Sequence, residues 1–212
     1  MVEAPNQQTP RVFVVDDDES VRKALRRLIE SVGMRVETFS SAEEFLAHPL
    51  ESGPSCLLLD VRMPRVSGLE LQKEMSARGI DIPIIFITGH GDVRMSVEAM
   101  KGGALDFIQK PFSEQDLLDA VHDAVARDVE ASRKRKHRDS VRDRVATLTP
   151  REREVFALVV TGLLNKQIGA QLGTSEKTIK VHRARVMRKL AAESVADLVR
   201  MAHVAGITDP DA

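Results

Sequence analysis

Five short, apolar, β-rich runs recur through the first half of the chain: RVFVV (11–15), MRVETF (34–39), CLLL (56–59), IIFI (84–87) and DFIQ (106–109). Between them lie stretches of helical period, such as Val21, Ala24, Leu25, Leu28 and Ile29. Turn-forming residues punctuate the joins at Gly33, Gly53-Pro54, Pro64, Gly68, Pro83, Gly89, Gly91 and Gly102-Gly103. Strand–helix alternation at this spacing predicts five parallel strands covered on both faces by helices. A chain of 212 residues, 42% of them hydrophobic, can bury such a core and still build a second small domain.

Composition removes several other classes. Charge nearly cancels, with 31 Lys and Arg against 32 Asp and Glu, and there is one cysteine, Cys56. General disorder, a collagen-like repeat and a disulfide scaffold are thereby excluded. Cys56 sits inside an apolar run and reads as a packing residue. The opening MVEAPNQQTP has no apolar signal core, and no stretch approaches the roughly 18 apolar residues of a membrane span, so a soluble protein of a reducing compartment is expected.

The polar residues at the strand ends carry the chemistry. Asp16, Asp17 and Asp18 follow the first run, Asp60 the third, Thr88 the fourth and Lys110 the fifth. In an open parallel sheet the crevice beyond the carboxyl ends of the strands collects such side chains from distant positions. Converging carboxylates repel one another unless a cation intervenes, and hard oxygen donors suit Mg²⁺. A carboxylate beside that ion can attack phosphorus and form an aspartyl phosphate, with Lys110 and the Thr88 hydroxyl on the phosphoryl oxygens. Asp18 is read as a helix cap or a water-facing residue outside this site, and His90, on the same side, lacks any partner that would make it a base or a ligand.

The two halves differ in charge. Residues 1–126 hold 13 basic and 21 acidic side chains, a net −8, while residues 127–212 hold 18 and 11, a net +7. An acidic, cation-binding module joined to a nucleic-acid module fits that asymmetry. After Pro111 no Gly or Pro occurs until Pro150, and Ser113-x-x-Asp116 reads as a helix start. Residues 127–145 carry eight basic and four acidic side chains and are expected to form a partly helical, semi-rigid linker, with RKRKHR (133–138) as its solvated face.

The remainder reads as four helices. Thr149-Pro150-Arg151-Glu152 supplies a cap, a first-turn proline and a capping-box glutamate, and Gly162 ends that helix. Helices at about 165–172 and 176–190 flank the turn Gly173-Thr174-Ser175, and Ser194-x-x-Asp197 starts the last one. On the third helix Ile179, Val186 and Leu190 form the core stripe. Lys177, Val181, Ala184 and Arg188 occupy the opposite face, with Lys180 and Arg185 beside them. Cations framing small side chains suit a helix in the major groove of DNA. Arg183 lies nearer the core, where it can pair with Glu152 or Glu154 or turn to DNA. The chain has no Trp or Tyr, and no Phe beyond Phe156, so the basic half lacks an aromatic platform for single-stranded RNA.

VVDDDES, LLLDVRMP, FITGHGD and DFIQKPF, in this order and spacing, resemble the motif set of bacterial response-regulator receiver domains. LTPREREVFALVVTGLLNKQIGAQLGTSEKTIKVHRARVMRKL resembles the LuxR-type helix-turn-helix of the NarL/FixJ family, and its tail looks particularly like the FixJ subgroup. The resemblance implies a flavodoxin/CheY-like α/β receiver with a five-stranded parallel sheet, plus a small all-α four-helix domain. It implies a polar tail over 1–10, a receiver over 11–126, a linker over 127–145, the DNA-binding domain over 146–206 and a tail over 207–212. It makes Asp60 the phosphoacceptor, places Mg²⁺, or alternatively Mn²⁺, on Asp16, Asp17, Asp60 and the Arg62 backbone carbonyl, and assigns Thr88 and Lys110 to the phosphoryl group. Phe107 falls at the aromatic switch position, and the Lys110–Pro111 bond is expected to be cis. Lys180, Val181 and Ala184 take base-reading positions, while Thr178 and the nearby cations Lys177, Arg185 and Arg188 face the backbone.

The function so implied is a phosphorylation-dependent transcriptional regulator in the bacterial cytoplasm. A sensor histidine kinase would donate the phosphoryl group, and a homodimer would bind double-stranded promoter DNA and engage RNA polymerase. Apart from self-phosphorylation from a phosphodonor and slow autodephosphorylation, no enzymatic activity is expected. Two alternatives use the same residues differently: a haloacid-dehalogenase-like phosphatase built on the Asp cluster, and a receiver-controlled module that binds RNA or protein.

Overall fold

The computed structural model describes residues 9–50, 53–89 and 93–207. His90, most of the N-terminal tail and residues 208–212 lie outside them. Backbone proximity divides the chain into two compact units, 1–132 and 133–212.

In the first unit the strands are β1 (Arg11–Val15), β2 (Arg35–Phe39), β3 (Ser55–Asp60), β4 (Ile84–Thr88) and β5 (Asp106–Gln109). They form one parallel sheet in the order β2-β1-β3-β4-β5. The order reverses between β1 and β3, so a crevice opens at their carboxyl ends. All residues of β3 and β4 are buried, which explains their unbroken apolar character.

Successive side chains of a strand point to opposite faces, and the core is split accordingly. Val12, Val14, Cys56, Leu58, Ile85 and Ile87 pack against Leu25 and Ile29 of α1 (Glu19–Ser31) and against Leu117, Val121 and Ala124 of α5 (Glu114–Ala146). Phe13, Val15, Leu57, Leu59 and Phe86 meet the other layer, α2 (Ala42–Ala47), α3 (Gly68–Ala77) and α4 (Val93–Lys101). Asp128 extends the buried stripe of α5 and accepts from the Ser55 N–H at 2.8 Å. Burial pushes the neighbouring Cys56 thiol up to about 12, with the Asp128 charge adding to the effect, so this thiol stays protonated.

The structure departs from the sequence expectation at α5. Residues 127–145, expected to be only partly helical, lie inside one unbroken helix from Glu114 to Ala146, because no Gly or Pro interrupts the backbone ladder.

In the second unit Val141 and Val145, at the end of α5, join a core made by α6 (Pro150–Val160), α7 (Asn165–Gln171), α8 (Glu176–Leu190) and α9 (Val195–Ala205). Capping boxes start α6 at Thr149/Glu152 and α9 at Ser194/Asp197. α8 ends unusually, with Ala191 in the left-handed region at φ 51° and the Ala192 N–H returning to the Met187 carbonyl at 2.9 Å. Glycine normally takes this position because a Cβ there crowds the following carbonyl. Ala191→Gly is therefore expected to stabilise the second unit by about 0.5–1 kcal/mol, after allowing for the extra unfolded-state freedom of glycine. Slower hydrogen exchange at the end of α8 would register the gain.

Candidate functional site

Residues from four strand ends meet at the predicted crevice. Asp16 follows β1 and is 3% exposed, Asp60 is 8% exposed and Thr88 1%. Asp60 and Thr88 are the last residues of β3 and β4 themselves, so each strand runs one position beyond the apolar run read from sequence, because both residues still pair in the ladder, Asp60 with Ile87 and Thr88 with Gln109. Lys110, after β5, is brought in by its N–H, which donates to the Thr88 carbonyl at 2.8 Å. The Lys110–Pro111 peptide bond is cis, as the resemblance implied.

The Lys110 ammonium lies 2.9 Å from Asp16 Oδ2 and 3.5 Å from Asp60 Oδ1, so one cationic centre spans both buried carboxylates. Asp16 is held on every side. Its N–H donates to the Phe39 carbonyl at 3.2 Å, its Oδ1 accepts from the Asp18 N–H at 2.9 Å, and its carbonyl accepts from Arg22 Nη1 at 2.6 Å. Asp60 Oδ2 accepts from the Arg62 N–H at 2.9 Å, which leaves Oδ1 turned to the ammonium. Burial pushes the Asp60 carboxyl above its ordinary value; the Lys110 charge opposes that shift, Asp16 adds to it, and the Arg62 N–H opposes it.

Asp18 caps α1, accepting from the Ser20 N–H at 2.7 Å, and stays outside the cluster. Asp17 is exposed. Among the described residues no group of three His, Cys, Asp or Glu side chains is arranged to hold a metal ion, so Asp17 is not gathered with Asp16 and Asp60 here. Phe107 is half-buried on β5, its ring 6.4 Å from that of Phe86. The sequence marks Gly68, at the start of α3, only as a turn residue, whereas the structure gives it a role beside Asp60. A Cβ there would lie 2.3 Å from the Asp60 carbonyl oxygen, so only glycine lets α3 begin this close to Asp60.

In the second unit, α7 and α8 form the helix-turn-helix. Gly173 leaves α7 at φ +63° and Ser175 caps α8, accepting from the Thr178 N–H at 3.1 Å. Gly169, which the sequence did not mark, permits the tight turn: a Cβ there would lie 2.8 Å from the Thr174 carbonyl oxygen. Ile179, Val186 and Leu190 are buried, while Lys177, Lys180, Val181, Ala184, Arg185 and Arg188 are exposed and Thr178 is half-buried beside Ser175. Lys180 also pairs with Glu176 at 3.1 Å, an exposed contact of little strength.

Arg183 takes neither carboxylate offered to it by the sequence. It faces α7 and donates to Asn165 Oδ1 at 3.1 Å. Glu152 is engaged instead by Lys189 at 2.6 Å, and Glu154 by Arg151 at 2.7 Å. Lys189 thus belongs to the fold of this unit although it sits on the basic helix.

The family model described as response regulator receiver domain matches residues 12–122, and that of the bacterial regulatory proteins of the luxR family matches residues 146–202. Nodulation protein W of Bradyrhizobium diazoefficiens is 50% identical over 197 residues, which are 93% of this chain and 87% of that protein. The transcriptional regulatory protein FixJ of Azorhizobium caulinodans is 47% identical over 202 residues, 94% of this chain and 95% of that one. Among solved structures, the response regulator StyR superposes with a TM-score of 0.84 at 47% identity, covering 92% of this chain and 99% of its own. The strand-end carboxylates, their lysine and the basic helix of the helix-turn-helix therefore belong to a two-component response regulator of the family that joins a receiver to a LuxR-type DNA-binding domain, a phosphorylation-dependent transcriptional regulator.

Proposed function

We propose that Asp60 accepts the phosphoryl group from a sensor histidine kinase and that α8 carries the response to promoter DNA. The observation that bears this reading is the pair of buried carboxylates held by one lysine, 2.9 and 3.5 Å away. Asp60 Oδ1 attacks phosphorus as the P–N bond of the donor phosphohistidine breaks, and the leaving imidazole nitrogen takes its proton from water. Lys110 and the Thr88 hydroxyl then stabilise the phosphoryl oxygens, while the Arg62 N–H holds Oδ2. Attack by water on the same phosphorus would give slow autodephosphorylation.

Receiver domains use Mg²⁺ for phosphorylation. The donor set suits it: Asp16 and Asp60 present hard oxygens already spanned by one cation, and exposed Asp17 with the Arg62 carbonyl would complete the shell. When bound, the ion supplies positive charge for the phosphoryl oxygens and relieves carboxylate repulsion.

Residues 11–126 are proposed to act as the receiver and 146–206 as the DNA-binding domain, joined through 127–145. Phosphorylation would remodel the α4, β5 and α5 face and favour a homodimer in the bacterial cytoplasm, with α9 as the DNA-bound dimer contact, half-sites about 10 bp apart, and RNA polymerase as the downstream partner. No helix among the described residues is long and apolar enough to cross a membrane.

Lys180→Ala and Arg188→Ala are each expected to weaken specific duplex binding about tenfold, and Arg188→Ala, which loses a phosphate contact, to lower the slope of affinity against salt by about one unit as well. Salt-dependent gel shifts measure both. Equal binding of the wild type to an unrelated RNA would overturn the duplex-DNA reading.

A further inference from the structure

α4 is the most lightly anchored of the receiver helices. Among its described residues only Ala99 is fully buried, whereas α3 alone buries Leu71, Gln72 and Met75. Its outer side exposes Val93, Val97 and Met100. A helix with so little apolar contact depends on its polar ties.

One of those ties is buried. Gln72 of α3 is 5% exposed and donates from Nε2 to the Ala99 carbonyl at 3.0 Å. That carbonyl lies near the end of α4 and also accepts from the Ala104 N–H at 3.0 Å. Gly102 makes room for the amide, since a Cβ there would lie 2.5 Å from Gln72 Oε1. The neighbouring Lys73–Glu98 pair, at 2.9 Å, is exposed and contributes little.

A buried amide that loses its partner forfeits more than the bond was worth, because it stays cut off from water. A displacement of α4 that carries the Ala99 carbonyl out of hydrogen-bond range of Nε2, 3.0 Å away here, leaves the Gln72 amide without that partner. We propose that Gln72, seated against Gly102, is a latch that biases α4 toward the position seen here and thereby limits how much unphosphorylated protein adopts the DNA-binding conformation. Gln72 acts as a positioning residue through α4. A bias of the size of one buried hydrogen bond changes a two-state population about 5- to 100-fold. The inference rests on the reading in which phosphorylation remodels the α4 face.

The test uses the full chain and the nearly isosteric Gln72→Met, which keeps the volume and removes the amide. The DNA probe is a duplex obtained by in vitro selection on protein phosphorylated with acetyl phosphate and Mg²⁺. Backbone hydrogen exchange in α4 should accelerate at least fivefold, with α1 unchanged. Unphosphorylated protein should bind the duplex at least fivefold more tightly, while the phosphorylated form changes less than twofold. Gly102→Ala, which pushes a methyl group into the amide, should accelerate the same α4 amides, and Lys73→Ala should move nothing by more than twofold. Wild-type exchange rates in both Gln72→Met and Gly102→Ala would overturn the latch. Faster α4 exchange with unaltered DNA affinity would overturn its regulatory role, provided the wild type responds to phosphorylation. A wild type whose DNA affinity ignores phosphorylation would overturn the underlying reading of the α4 face, and the regulatory role with it, whatever the exchange rates show.

Discussion

Asp60→Asn is expected to reduce incorporation of labile phosphate from acetyl phosphate to background, without weakening the receiver. The amide oxygen is no nucleophile toward phosphorus, so the acyl phosphate cannot form at this position. The effect on stability runs the other way. Burial first, and Asp16 second among the raising causes, lift the Asp60 carboxyl above its ordinary value despite Lys110. A carboxyl raised on folding contributes stability that is fully present below its unfolded value and is lost as pH rises through the folded one. At neutral pH the ionised form therefore works against the fold, and asparagine removes that charge. The expected result is a receiver with no labile phosphate and equal or higher stability at pH 7, its advantage shrinking as pH falls through the raised range toward the ordinary value of 3.8 and gone below it. Labelling followed by alkaline hydrolysis reads the first part and hydrogen exchange of β3 amides the second. Labile phosphate retained by the variant would refute Asp60 as acceptor.

The same contest of charge and burial explains why the site was legible before the fold was known. Asp16, Asp60, Thr88 and Lys110 each terminate an apolar run, and the parallel sheet brings the ends of such runs to one edge. The helix caps Asp18, Ser113, Thr149 and Ser194 were legible for a similar reason, since each bonds a backbone N–H only two or three residues away; Ser175, read only as part of a turn, does the same for α8. Long-range polar pairing was not. Asp128 finds Ser55 across 73 positions, and Gln72 finds Ala99 across 27. Arg183 chose Asn165 over two glutamates. Those choices depend on how helices are turned against each other, which a 3.6-residue period leaves undetermined. Gly169 went unread, and Gly68 was read only as a turn residue, for a related reason: neither has a positive φ, and each is required by the backbone of another segment.

The basic helix supplies the sharpest case of a residue whose type suggests one role and whose partners give it another. Lys189 donates to Glu152 at 2.6 Å and to the Thr147 carbonyl at 2.9 Å. Glu152, 3% exposed, also accepts from the Thr149 N–H at 2.9 Å, completing the capping box of α6. The Lys189 hydrogen bond foremost, and the Thr149 N–H next, hold the Glu152 carboxyl down to about 2. Lys189→Met leaves that carboxylate without its cation in a nearly closed position and is expected to destabilise the second unit by about 2–4 kcal/mol, since Lys189 itself keeps some contact with water. Adding Glu152→Met should recover part of the loss, because two well-packed methionines no longer strand a charge. The pH dependence fixes the sign. A carboxyl lowered on folding contributes stability present above its unfolded value near 4.5 and lost as pH falls toward 2, so the wild-type advantage over the double variant should fade across that window. Native-state hydrogen exchange of α6 and α8 amides in the full chain measures each arm. DNA affinity at neutral pH should fall only in proportion to the folded fraction, whereas a phosphate-contacting lysine would lower affinity and salt slope in fully folded protein.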